Sequence, residues 1–202
     1  MARIRTRFHK SSKPKSPEVI AGAMGMNIWK MASGTANKMY SEGFNFKSNA
    51  QLIDLIGEFA VFLLQLSDRI AYEQLDDELR QRFTQALAGH LINTIVENQV
   101  EELKGEASEY QKAIIEKLNH HLEGYSEFSV SNGTPSYQML RYFGTLCDEV
   151  MGGTDNKWVI EHVMEVEAPP LIKQTREGME KLLPQMQGSE EEGESESAAE
   201  SS

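Results

Sequence analysis

The sequence predicts an all-α, single-domain bundle of six or seven helices, mostly antiparallel, with a central hydrophobic helix near 49–75. Three observations lead there. Apolar residues recur at spacings of three and four through most of the 202 residues, the signature of helices with one buried face. No stretch sustains the two-residue alternation of a half-buried strand. The connectors are short, which favours antiparallel neighbours.

The first helix is expected over about 18–40, where Ile20, Met24, Ile28 and Met31 share a face, although its three glycines weaken the helix intrinsically. Ser41 to Lys47 reads as a connector. Ser48 with Gln51 has the capping-box spacing and opens the segment that runs to about Leu75. There Leu52, Ile53, Leu55, Ile56, Phe59, Phe62, Leu63, Leu66 and Ile70 cover most of the circumference. A helix apolar all round belongs at the centre of a bundle. Asp76, Asp77 and Glu78 then place negative charge at the start of the next helix, whose stripe is Leu79, Phe83, Leu87, Leu91 and Ile95 and whose stop is expected at Gly105. Ser108 with Gln111 repeats the capping spacing and introduces a helix carrying Ile114, Leu118, His121 and Tyr125. Residues 126–134 read as a loop, with Pro135 as the first residue of a helix ending at Gly152–Gly153. Thr154–Asp155 restarts the chain, Pro169–Pro170 breaks it at Ala168, and a last helix covers about 170–184.

Charge divides the chain differently. Arg3, Arg5, Arg7, Lys10, Lys13 and Lys15 give residues 1–17 a charge of +6, and six glutamates give residues 188–202 a charge of −6. The body between carries the whole net charge of −11. Both ends have the composition of disordered arms, which leaves 18–187 as the helical domain. An acidic body lacks the basic face that nonspecific DNA binding needs, so no DNA partner is expected. The basic arm could still grip RNA or another anionic surface through Arg3, Arg5 and Arg7. Val19 to Trp29 is uncharged but diluted by Gly22, Gly25 and Asn27, a poor match to a targeting segment. The longest other apolar run, Phe59 to Ser67, is far below the roughly 20 residues of a membrane span. No transmembrane segment is expected, and the cytoplasm is the expected location.

Motifs for chemistry are sparse. The lone Cys147 excludes an internal disulfide and a multi-cysteine metal site, and in its apolar segment it reads as a buried structural thiol. The sequence has no phosphate-binding glycine loop, no Glu-x-x-His pair of the di-iron bundles and no hydrolase elbow. No cofactor is expected. Glu116, His120, His121 and Glu123 are the best metal set on one helix, with His162 able to join only if the fold brings it near. Ordinary histidines, one exposed and one at the core edge, are the simpler reading. Asp54, Glu58, Asp68 and Arg69 interrupt the greasiest helix, where charge is expensive unless paired. They pin helix register, with Arg80, Arg82 or Arg141 as partners, or with His121 they line a cleft for a polar ligand.

The resulting expectation is a non-enzymatic helical interaction or assembly protein. It binds itself or a protein partner through the apolar, Met-rich face of the first helix, around Met24, Ile28 and Met31, since methionine surfaces adapt to varied partners. That helix is either packed down like the others or detachable. Symmetric dimerisation is the simplest form. A bundle enclosing a small polar ligand or metal ion, with catalytic consequences, is the alternative.

Overall fold

The computed structural model describes residues 14–152 and 158–187, and the architecture follows from one segment that has no polar side to turn outward. From Leu55 to Ser67 every residue of the second helix is buried, so other helices must surround it. This helix, α2 (Asn49–Gln74), touches α1 (Pro17–Ser41), α3 (Asp77–Leu103), α4 (Ala107–Ser126), α5 (Tyr137–Met151) and α7 (Ala168–Leu182). Single-turn helices α6 (Val159–His162) and α8 (Pro184–Gln187) complete the helical set among the described residues. The protein is an all-α bundle around α2. By length and composition α2 could also cross a membrane, because an 18-residue window tolerates the isolated charges that cut the uninterrupted apolar run short. Here 78% of that window is buried against neighbouring helices.

Aromatic packing fastens the centre. The Phe62 ring stacks on Phe143 of α5 at 4.1 Å between centroids, and Phe59 meets the same ring edge-on at 5.3 Å. Met24 and Ile28 of α1 are completely buried. Gly25 explains how α1 tolerates glycine: a Cβ there would strike the His90 ring of α3, so the missing side chain lets the two helices close up. The first helix is thus an integral wall of the bundle, and Met24 and Ile28 offer nothing to a partner in this arrangement.

Helix ends follow local chemistry, with some departures from the sequence reading. Ser48 Oγ accepts from the Gln51 amide, and Asp76 Oδ1 from the Leu79 amide, as their positions predict. The α3 stop differs, since Lys104 adopts the left-handed conformation at φ 57° while Gly105 does not. Gly105 instead lies against Tyr110, where a Cβ would collide with the phenol ring. Ser108 lies inside α4, whose N-cap is Glu106 without a side-chain cap bond. Thr134–Pro135 does not begin α5. It pairs with Val130–Ser131 in a two-residue antiparallel ladder closed by Asn132 and Gly133, both at positive φ, the Asn-Gly hairpin turn. Ser136 then caps α5 by accepting from the Met139 amide. Gly152 ends α5 at φ 75° as expected, while the restart at Thr154–Asp155, the acidic arm and residues 1–13 of the basic arm, with Arg3, Arg5 and Arg7, lie outside the described residues. The end of the basic arm is ordered, contrary to expectation, because Lys15 Nζ donates to Gln185 Oε1 at 2.7 Å and Ser16 caps α1.

Candidate functional site

The proline pair shapes the most accessible polar site. Pro169 and Pro170 have no amide hydrogens, so the carbonyls of Glu165 and Val166 lose their α-helical donors. The chain widens to a π-helical turn over Val163–Glu167, in which the Ala168 amide reaches back five residues to the Val163 carbonyl. The prolines therefore sit in the first turn of α7, where missing donors are tolerated, and helix continues instead of breaking. Such π turns are frequent at functional sites. This one ends at Glu167, whose side chain is only 3% exposed.

Glu167 meets the end of antiparallel α1. Lys38 Nζ donates to its Oε1 at 2.8 Å, and His162 Nε2 lies 2.9 Å from the same oxygen. Glu42, the C-cap of α1, brings its Oε2 to 3.5 Å from His162 Nε2 and its Oε1 to 3.7 Å from Lys38 Nζ. The Phe44 ring lies 4.7 Å from the imidazole centroid and confines it. The hydrogen bond to Glu167 holds the Lys38 pKa above its ordinary value, against a smaller opposing effect of burial.

From this cluster a groove of about 700 Å³ extends along α1 and α7. Met31 is its partly exposed apolar group, over buried Met24 and Leu171, and Lys30 and Lys38 of α1 face Glu167, Glu177 and Lys181 on the α7 side. Met31 is half-buried, whereas Met24 meets the groove only where Gly178 of α7 leaves room beside its sulfur.

A second polar cluster is closed. Glu58, 2% exposed in its side chain, sits between α2 and α4, with Lys117 Nζ at 2.6 Å from Oε1 and His121 Nδ1 at 3.1 Å from Oε2. The His121 contact is off the line of a hydrogen bond, so it acts through charge when the ring is protonated. Asp54, one turn earlier, keeps an exposed side chain, yet the surrounding helices desolvate its carboxyl enough to raise its pKa, with Lys117 opposing and Glu58 reinforcing the shift. Burial pushes the Tyr125 phenol and the Cys147 thiol well above their usual pKa values, and the Glu58 charge adds to both. A buried, protonated Cys147 is a packing residue.

The residues predicted for a single cleft therefore separate. Asp54, Glu58 and His121 gather, while Asp68 lies ten residues beyond Glu58, about 15 Å along the helix. Arg80 grips Asp68 in a fork, Nε to Oδ1 at 3.0 Å and Nη2 to Oδ2 at 2.7 Å, and Thr84 adds a bond at 2.8 Å. This pair ties α2 to α3. Arg69 is partly buried beside it, Arg82 pairs with Glu18 on α1, and Arg141 is exposed. The metal set on α4 also disperses. Glu116 and His120 are exposed and His121 turns to Glu58, while His162 joins Glu42 and Glu167 instead. Glu42, Lys38 and Glu167 escaped the sequence reading because 125 positions separate Glu42 from Glu167 in the chain. The only available signal was the double proline beside a Glu–His pair. The chain matches no family model, no curated protein and no solved structure.

Proposed function

We propose that this protein is a non-enzymatic helical binding module that docks an acidic, amphipathic segment of a protein partner between α1 and α7. The observation carrying this reading is the groove itself, about 700 Å³ between α1 and α7, with Met31 partly exposed in it and Lys30, Lys38 and Lys181 among its lining. Helix-in-groove recognition needs an apolar floor for anchor side chains, and methionine adapts such a floor to varied shapes. Lys38 already neutralises Glu167. Lys30 and Lys181 are then set against Glu177 alone, a locally positive strip on an otherwise acidic body. The complementary partner carries carboxylates flanking its apolar stripe. The expected partner surface thus shifts from the buried Met24–Ile28 face to a groove that keeps Met31. The Glu58 cluster, sealed by packing, contributes rigidity.

Fluorescence anisotropy tests this with two synthetic amphipathic helices of identical leucine stripe, one flanked by Glu and one by Lys. The full-length protein should bind the acidic peptide saturably at one site, and Lys30→Glu with Lys181→Glu should weaken it by about tenfold or more, a change of roughly 1.4 kcal/mol. Equal binding of both peptides, or no effect of the double charge reversal, removes the reading.

A further inference from the structure

We infer that Glu42, His162 and Glu167 form a divalent transition-metal site of the zinc type, for which the Lys38 ammonium is the resident substitute cation. The ligand atoms come from two separate parts of the chain, the end of α1 and the α6–π segment, and lie within 4.8 Å of one another. Zinc bound tetrahedrally at 2.0–2.2 Å holds its ligand atoms about 3.3–3.6 Å apart. From His162 Nε2, Glu42 lies at 3.5 Å, within that range, and Glu167 at 2.9 Å, a few tenths of an ångström short of it. One imidazole and two carboxylates suit zinc better than calcium or magnesium, which favour an all-oxygen shell.

Two further features support cation exchange at this point. Glu167 is nearly sealed from solvent, so its charge needs a cation close by. The present one, Lys38, is 45% exposed and hangs on a flexible stem, so it can swing into water when a metal takes its place. Phe44 restrains the His162 ring with Nε2 directed at Glu167. Three protein ligands leave the fourth position to water, the open pattern of non-structural zinc sites. The site does not depend on what occupies the groove, since all its ligands belong to this chain.

Isothermal titration of the full-length protein with zinc chloride, after exhaustive chelator dialysis, tests the assignment, with cobalt absorption as a second readout. One zinc per chain should bind through this site. His162→Gln should weaken it by more than the roughly 10–100-fold typical of losing a supporting group. Glu42→Gln, a change at an exposed position that leaves the core intact, should weaken it in the same direction. Lys38→Met should tighten binding, because the competing cation is gone; a purely structural cluster has no reason to respond so. Tetrahedral cobalt bands should appear in the wild type and vanish in His162→Gln. Failure of the wild type to bind zinc stoichiometrically overturns the proposal. Affinity unchanged by His162→Gln, which would place the metal on other histidines or on the glutamate-rich end, overturns it equally.

Discussion

Removing Lys117 should expose how strongly the bundle depends on neutralising Glu58. Its ammonium lies 2.6 Å from a carboxylate that is 2% exposed, while Lys117 itself is 28% exposed. Taking away one partner of a buried pair strands the other charge, typically costing about 3–5 kcal/mol. Lys117 is partly solvated, which places Lys117→Met toward the low end, about 3 kcal/mol. With a urea dependence of about 2 kcal/mol per molar, the midpoint should fall by about 1.5 M. The double variant Glu58→Gln with Lys117→Met removes the stranded charge along with its partner and should be milder than Lys117→Met alone. Lys112→Met, in an exposed ion pair with Glu116 at 3.9 Å, is the control and should change stability by less than about 0.5 kcal/mol. The argument fails if Lys117→Met is as mild as the control, or if adding Glu58→Gln makes matters worse.

Two other outcomes follow from the same structure. Asp68→Asn breaks the forked, half-buried bond to Arg80. It should cost about 1–2 kcal/mol, which calorimetry would register as a fall in melting temperature of about 2–8 °C. Alkaline pH should destabilise the fold through Cys147 and Tyr125. Their folded pKa values are raised, so their stabilising contribution is complete below the unfolded values near 9.0 and 10.0 and is lost as pH rises beyond them. The loss can reach about 1.36 kcal/mol per pH unit for each group. Urea midpoints between pH 8 and 11 should fall less steeply for Cys147→Ala than for the wild type, and parallel curves would contradict the assignment.

The fold was legible because its determinants are local and periodic. The α2 stripe from Leu52 to Ile70 announces a central helix wherever its neighbours lie, and Ser48 and Asp76 mark helix starts with atoms one turn away. Legibility fails where tertiary packing chooses between local options. Lys104 takes the left-handed position, and Gly105 lies against the Tyr110 ring instead. Asn132–Gly133 was a readable hairpin signal, masked by the stronger habit of Pro135 as a helix starter. The prolines at 169 and 170 imply a break, but a π turn absorbs them without ending the helix. Of the polar residues, Glu58 and Asp68 were recognisable as costly charges on an apolar helix. Their partners could not be separated from other lysines and arginines without knowing which helix lies alongside. Glu42 and Glu167 looked like two more glutamates of an acidic body.

The two buried glutamates show why similar chemistry leads to different roles. Glu58 and Glu167 are each almost completely buried, and each is held by one lysine and approached by one histidine. Access separates them. His121 is 8% exposed and Lys117 28%, whereas His162 is 20% exposed and Lys38 45%. At Glu58 the cation cannot leave without stranding a charge inside packed helices, so the cluster acts as a rivet between α2 and α4. At Glu167 the lysine can move to solvent, a second carboxylate from Glu42 waits beside the imidazole, and the groove opens directly alongside. A charge that can be exchanged at an open edge can report on what arrives there, and a charge locked in the interior cannot. The proposed binding chemistry is therefore placed at the junction of α1 with the π turn, although the most conspicuous charges in the sequence lie on α2.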